Sequence, residues 1–188
     1  MLESRKIIIT GAGSGIGKAI VKECLRHQAS VIACDINEQS LNDLKKQLTN
    51  RNDALHTYQL DVSNYKEVSN FFEYIKANHS DVESLVNNAG IYLAKSILDY
   101  PVDEIDDVLD INVKGYIYFS QLFARLMFRQ QREGVITNIT SVSGMEGSSD
   151  AIYGSSKAAI LGLTKSCAMN FSPLIRVNAV LPTMGFSN

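Results

Sequence analysis

The chain has 188 residues, of which 45% are hydrophobic and 20% charged, with a formal net charge of -2. That length suffices for one domain with a substantial core, and the small net charge gives no reason to expect nucleic acid or an anionic membrane as a partner. No apolar run approaches a membrane span, and Met1-Leu2-Glu3-Ser4-Arg5-Lys6 leads straight into a strand-like run without the layout of a signal peptide.

The three cysteines, Cys24, Cys34 and Cys167, are odd in number and far apart. They predict reduced core thiols and a cytoplasmic setting rather than disulfides. His27, His56 and His79 fall in unrelated segments, so no metal site is expected.

In chain order, Ile7-Ile8-Ile9-Thr10 reads as a buried strand. Ile16 to Gln28 has helical spacing, with Ile16, Ala19, Ile20 and Cys24 on one face. Val31 to Asp35 is a second strand. Leu41, Leu44 and Leu48 mark a second helix, capped by Asn37. His56 to Leu60 reads as a third strand, and Val68, Phe71, Phe72 and Ile75 as a third helix. Leu85-Val86-Asn87 is a fourth strand, followed by one long helix from about Val102 to Gln131. Val135 to Ile139, a helix from Tyr153 to Phe171, and Arg176 to Leu181 complete the pattern. Strand and helix alternate without repeats or low-complexity linkers.

This pattern calls for an α/β fold, a doubly wound parallel sheet covered by helices on both faces. Right-handed crossovers favour a Rossmann-like three-layer α/β/α arrangement with strand order 3-2-1-4-5-6. Residues 1–188 are then a single domain, with its ligand at the carboxyl ends of the strands.

Thr10-Gly11-Ala12-Gly13-Ser14-Gly15-Ile16-Gly17 joins the first strand to the first helix. Glycines there allow a tight turn and a close approach to a pyrophosphate, and the helix N-terminus behind them supplies free N–H groups and positive potential. The spacing is not G-x-G-x-x-G, because Ile16 or Lys18 falls where the last glycine would be. Asp35 ends the second strand, twenty residues after Gly15. A carboxylate there can accept hydrogen bonds from the adenosine ribose hydroxyls and repel a 2′-phosphate. Ile36-Asn37-Glu38 follow it without a basic residue, which favours NAD over NADP.

Tyr153 and Lys157 are four apart, so a helix puts both on one face. An ammonium beside a phenol favours the phenolate and lowers its pKa, which makes the pair an acid/base candidate. The hydroxyl of Ser141 can hold a substrate oxygen beside the phenol.

The chain resembles a short-chain dehydrogenase/reductase of the classical type. Thr10-Gly11-x-x-x-Gly15-Ile16-Gly17 is similar to that family's cofactor turn, and Asn87-Asn88-Ala89-Gly90 to its segment after the fourth strand. Asn112-Val113-x-Gly115, Asn138-Ile139-Thr140-Ser141 and Tyr153-x-x-x-Lys157 match its catalytic tetrad. Arg176 to Pro182 matches the stretch leading to the nicotinamide, and the resemblance spans essentially the whole chain.

The resemblance implies an NAD(H)-dependent oxidoreductase that interconverts a secondary alcohol and a ketone. Gly11, Ser14, Gly15, Ile16, Gly17 and Asp35 would hold the cofactor, with Asp61 and Val62 at the adenine edge. Asn88, Ala89 and Gly90 would line the nucleotide, and Pro182 would lie beside the nicotinamide. Tyr153 would be the general acid in reduction and the base in oxidation. Lys157 would lower the tyrosine pKa and hold the nicotinamide ribose. Ser141 would orient the carbonyl, and Asn112 would hold a water in a proton relay. Tyr92, Leu93, Ser143, Met145 and Glu146 border the expected substrate space. The family also implies a homodimer or homotetramer, and a substrate lid, helix and seventh strand beyond the sixth, so a longer natural product is expected. Thr183 stands where the family usually has glycine. Two alternatives stay open: an NADPH-dependent 3-oxoacyl thioester reductase and a dinucleotide-binding regulator without turnover.

Overall fold

The computed structural model describes residues 2–48 and 53–183. Its strands are β1 (Lys6–Thr10), β2 (Ser30–Asp35), β3 (Leu55–Gln59), β4 (Ser84–Asn87), β5 (Gly134–Ile139) and β6 (Ile175–Val180). They form one parallel sheet in the order β3-β2-β1-β4-β5-β6. The helices are α1 (Gly15–Arg26), α2 (Glu38–Gln47), α3 (Tyr65–Asn78), α4 (Val102–Leu109), α5 (Gly115–Gln130), α6 (Ser143–Glu146) and α7 (Ala151–Phe171). This is the Rossmann-like α/β architecture and the strand order that the alternation predicts.

Successive strand side chains point to opposite faces, and the two faces build separate cores. Ile7 and Ile9 of β1 pack with Val21 and Leu25 of α1 and with Leu41 and Leu44 of α2. Ile8, between them, packs with Phe71 of α3 and with Phe119 and Phe123 of α5. Both faces of β1 are covered, which explains its unbroken apolar run. Complete burial of a phenylalanine such as Phe71 or Phe119 contributes about 1.5–3 kcal/mol. Asn37 caps α2 as predicted, accepting from the Ser40 N–H at 2.9 Å.

The predicted long helix is interrupted. α4 ends at Leu109, a π turn occupies Asp110–Lys114, and α5 begins at Gly115. The wider turn puts Asn112 fully inside. α7 starts at Ala151, two residues before the predicted Tyr153, because Asp150 caps it and accepts from the Tyr153 N–H at 2.9 Å. The expected seventh strand falls outside the described residues.

The carboxyl ends of β1, β2 and β4 converge where the strand order reverses, and a crevice opens there.

Candidate active site

The crevice encloses about 400 Å³. Gly11, Ser14, Gly15 and Ile16 form its floor between β1 and α1. Gly11 has φ +62°, and a Cβ there would stand 2.8 Å from the Ala89 Cα. The turn is clamped from the next strand: the Asn88 side-chain amide donates to the Thr10 and Gly11 carbonyls at 3.0 and 3.1 Å. The Thr10 hydroxyl accepts in return from the Asn88 and Ala89 N–H groups at 2.9 and 3.1 Å. Gly17 does not line the crevice. It lies behind the turn, where a Cβ would be 2.0 Å from the Gly11 carbonyl oxygen, so it serves the approach of α1 to the turn.

Asp35 lies on the crevice wall. Its carboxylate accepts from the Gly13 N–H at 2.8 Å and from the Asn37 N–H at 2.9 Å, which fixes its orientation. Asp61 and Val62 line the same end, and Asn88, Ala89 and Gly90 line the middle. Free N–H groups at the start of α1 and a fixed carboxylate at the end of β2 are the donor and acceptor set that a dinucleotide needs, so these residues fit one.

Tyr153 and Lys157 form the opposite wall. Lys157 is only 4% exposed, and its Nζ donates to the Ile139 carbonyl at 3.3 Å. The ammonium lies 5.4 Å from the Tyr116 ring centroid and 5.7 Å from that of Tyr153. Burial pulls its pKa down to about 8. The Tyr153 phenol is shifted upward, the reverse of the sequence expectation. Burial raises it most, the Ser141 hydroxyl lowers it through a hydrogen bond, and Tyr92 and Asp150 add to the rise.

Ser141 is buried, and its hydroxyl oxygen also accepts from the Ser143 N–H at 3.1 Å. Asn112 is fully buried. Its Oδ1 accepts from the Ile91 N–H at 2.8 Å, and its Nδ2 donates to the Ile91 carbonyl at 3.0 Å and to the Ser156 hydroxyl at 3.1 Å. Its side chain thus braces the loop after β4 against α7. Pro182 does not line the crevice; its carbonyl accepts from the Val142 N–H at 3.4 Å. Of the residues expected around substrate, Tyr92 lines the crevice and stacks tilted on Tyr153 at 4.8 Å. Leu93, Ser143, Met145 and Glu146 do not line it, and Met145 is 72% exposed.

Sequence reading placed Thr10 in the glycine turn without a role; its hydroxyl anchors the Asn88 clamp. Thr140, likewise quoted without a role, lines the crevice and donates to the Lys157 carbonyl at 2.7 Å. Each has a partner remote in sequence, so the local pattern shows the residue but not its bond.

A family model for short chain dehydrogenase matches residues 5–186. The chain is 34% identical over 189 residues to 3beta-hydroxysteroid dehydrogenase 2 of Eggerthella lenta, covering 97% of this chain and 71% of that one. It is 34% identical to the 3-oxoacyl-[acyl-carrier-protein] reductase FabG of Thermotoga maritima, covering 96% and 74%. Among solved structures, an NAD+-bound xylitol dehydrogenase superposes with a TM-score of 0.90 at 30% identity, covering 97% and 71%. ElxO with NADP bound gives a TM-score of 0.90 at 28% identity, covering 96% and 73%. With this sheet, this crevice and these matches, the chain belongs to the short chain dehydrogenase family and is an NAD(P)-dependent oxidoreductase.

Proposed function

We propose that the protein transfers hydride between NAD(H) and a small secondary alcohol or ketone, using Tyr153 as the proton-transfer group. The observation that carries this reading is one crevice with Asp35 and the glycine turn at one end and Tyr153 and Lys157 at the other. When bound, a nicotinamide dinucleotide supplies the hydride chemistry. Gly11, Ser14, Gly15 and Ile16 take its diphosphate, and Asp35 its adenosine ribose; Asp61 and Val62 stand at the adenine edge. Asn88, Ala89 and Gly90 border the nucleotide, and Lys157 the second ribose. Gly17 and Pro182 support this site from behind.

Tyr153 gives a proton to the substrate oxygen in reduction and takes one in oxidation. Ser141 holds that oxygen within reach of the phenol. Asn112 positions Ile91 and α7. Preference for NAD over NADP rests on the Asp35 carboxylate, which repels a 2′-phosphate. All of this sits in one domain.

The buried free thiols of Cys24, Cys34 and Cys167 support a cytoplasmic setting. No helix of the described residues is long and apolar enough to cross a membrane. The face formed by α5 and α7 supports self-association into a homodimer, or a homotetramer through a further contact.

The test is a screen of sugar alcohols, hydroxy acids, steroids and acyl thioesters, read by NADH and NADPH absorbance. Turnover with NAD(H) should exceed that with NADP(H), and Tyr153→Phe should lower kcat at least ~100-fold with NADH affinity little changed. Near-normal turnover in Tyr153→Phe overturns the assignment.

A further inference from the structure

Asp150 is fully buried at the start of α7, three residues before Tyr153. One carboxylate oxygen accepts from the Tyr153 N–H at 2.9 Å, and the other from the Tyr100 hydroxyl at 2.7 Å. The backbone N–H groups of Lys95 and Ala94 lie toward the same carboxylate and help to hold its pKa down. Ala94 has φ +58°, a left-handed conformation that alanine adopts only at a cost. It is therefore held there by its surroundings, and the carboxylate is the partner on hand.

A helix cap needs one acceptor, which serine, threonine or asparagine supplies without charge. Burying a charge is expensive unless several donors compensate it. Here the additional donors all come from one segment, residues 94–100. That segment follows Tyr92, which faces Tyr153 across the crevice at 4.8 Å. It is also tied to α4 through the ion pair of Lys95 with Glu104.

We propose that Asp150 is a positioning residue that ties the 92–100 segment, one wall of the substrate space, to the helix carrying Tyr153 and Lys157. The tether sets the gap between Tyr92 and Tyr153, and so the width available to a substrate. The carboxylate also adds a fixed negative charge behind the phenol. The groups facing Tyr153 are then the Ser141 hydroxyl, the Tyr92 phenol, the Asp150 carboxylate, the Lys157 ammonium and the Tyr116 phenol. Burial pushes the Asp150 carboxyl up, but the donors around it, Tyr153, Tyr100, Lys95 and Ala94, outweigh it and hold the group below its ordinary value. It is charged at neutral pH.

Two measurements test this. Amide hydrogen exchange at Ala94 and Lys95, without substrate or cofactor, reads the tether directly. Asp150→Ala should speed exchange there at least ~10-fold, and Tyr100→Phe should speed it less, with the second half of α7 unchanged in both. Should Asp150→Ala fail to fold, Tyr100→Phe alone decides. Exchange at the wild-type rate in every variant that folds overturns the proposal. The second measurement is turnover, which rests on the oxidoreductase reading; the exchange measurement does not, so an enzyme without turnover sinks that reading and leaves the tether standing. Tyr100→Phe should raise KM more than it lowers kcat. Asp150→Asn keeps an acceptor and the shape but removes the charge. With one acceptor oxygen left, it should exchange at a rate between wild type and Asp150→Ala, and it should move the tyrosine limb of the pH–rate profile toward lower pH. A limb at its wild-type position overturns the electrostatic half of the proposal.

Discussion

Lys157 keeps its ammonium almost out of water, with the Ile139 carbonyl at 3.3 Å and two aromatic rings nearby. Its pKa falls from 10.5 to about 8 because burial disfavours the charged form. Below about pH 8 the group is charged in both folded and unfolded chain, and the folded chain bears the full desolvation cost. Between about 8 and 10.5 the folded chain releases the proton while the unfolded chain still holds it, so this group's cost fades as pH rises. A shift of that size corresponds to ~3 kcal/mol. Lys157→Met is therefore expected to be inactive yet more stable than wild type at pH 7, by ~1–3 kcal/mol in urea unfolding after loss of the Ile139 bond. The advantage should shrink steadily from pH 8 to 10. A gap that does not change over that window overturns the account. The spacing made this pair a candidate, and the family resemblance gave it a role. The direction expected for the Tyr153 shift was reversed, because it depends on burial in the folded chain and on the charges of Tyr92 and Asp150, which lie outside the motif.

Among the elements, β4 and β5 are joined at their carboxyl ends by a buried polar chain. The Asn87 amide donates to the Ser120 hydroxyl at 3.1 Å and to the Asn138 Oδ1 at 2.9 Å, and the Asn138 amide donates to the Thr164 hydroxyl at 2.9 Å. The chain ends where the Thr164 hydroxyl donates to the Ile160 carbonyl at 2.7 Å. It crosses from α5 through two strands to α7. Asn87→Leu and Asn138→Leu should each cost ~1–3 kcal/mol by stranding a buried partner, while the double variant costs clearly less than the sum. Urea unfolding of all four proteins measures this, and strict additivity would show that the bond couples nothing. The same scale exposes a limit of pattern reading. Apolar residues recur on both sides of Asn112, so the stretch from Val102 to Gln131 reads as one helix. A π turn adds one residue to a turn, a slip smaller than the tolerance of an i, i+3, i+4 pattern. The tight spot at Gly115, where a Cβ would be 3.0 Å from Val62, exists only in the folded chain.

The whole molecule presents one helical face with unusual apolar exposure. Between α5 and α7 a groove of about 310 Å³ is lined by Ile117, Ala124, Phe128, Leu163 and Phe171 among others. Ile117 is 39% exposed and Phe128 45%. A patch of this kind needs cover. Wild type should sediment as a dimer or higher oligomer, and Phe128→Asp as a monomer with its fold retained. A monomeric wild type at micromolar concentration would rule this face out as the contact. Overall architecture was legible in advance because burial on both sides of a parallel strand leaves an apolar run, as in Ile7 to Ile9, that no half-exposed strand shows. Exposed partners left no comparable trace: Phe128 sits in the helical pattern of α5 like any core residue.

The Asn88 clamp has a consequence for how a ligand arrives. Its amide already bridges Thr10 and Gly11, and Thr10 grips it in return, so the turn proposed to cradle a diphosphate has its shape before anything enters. Little backbone freedom remains there to be lost on association, and none of the loop has to fold around the guest. Capture by such a socket is governed by diffusion into the cleft, and residence by how firmly the far end of the guest is held.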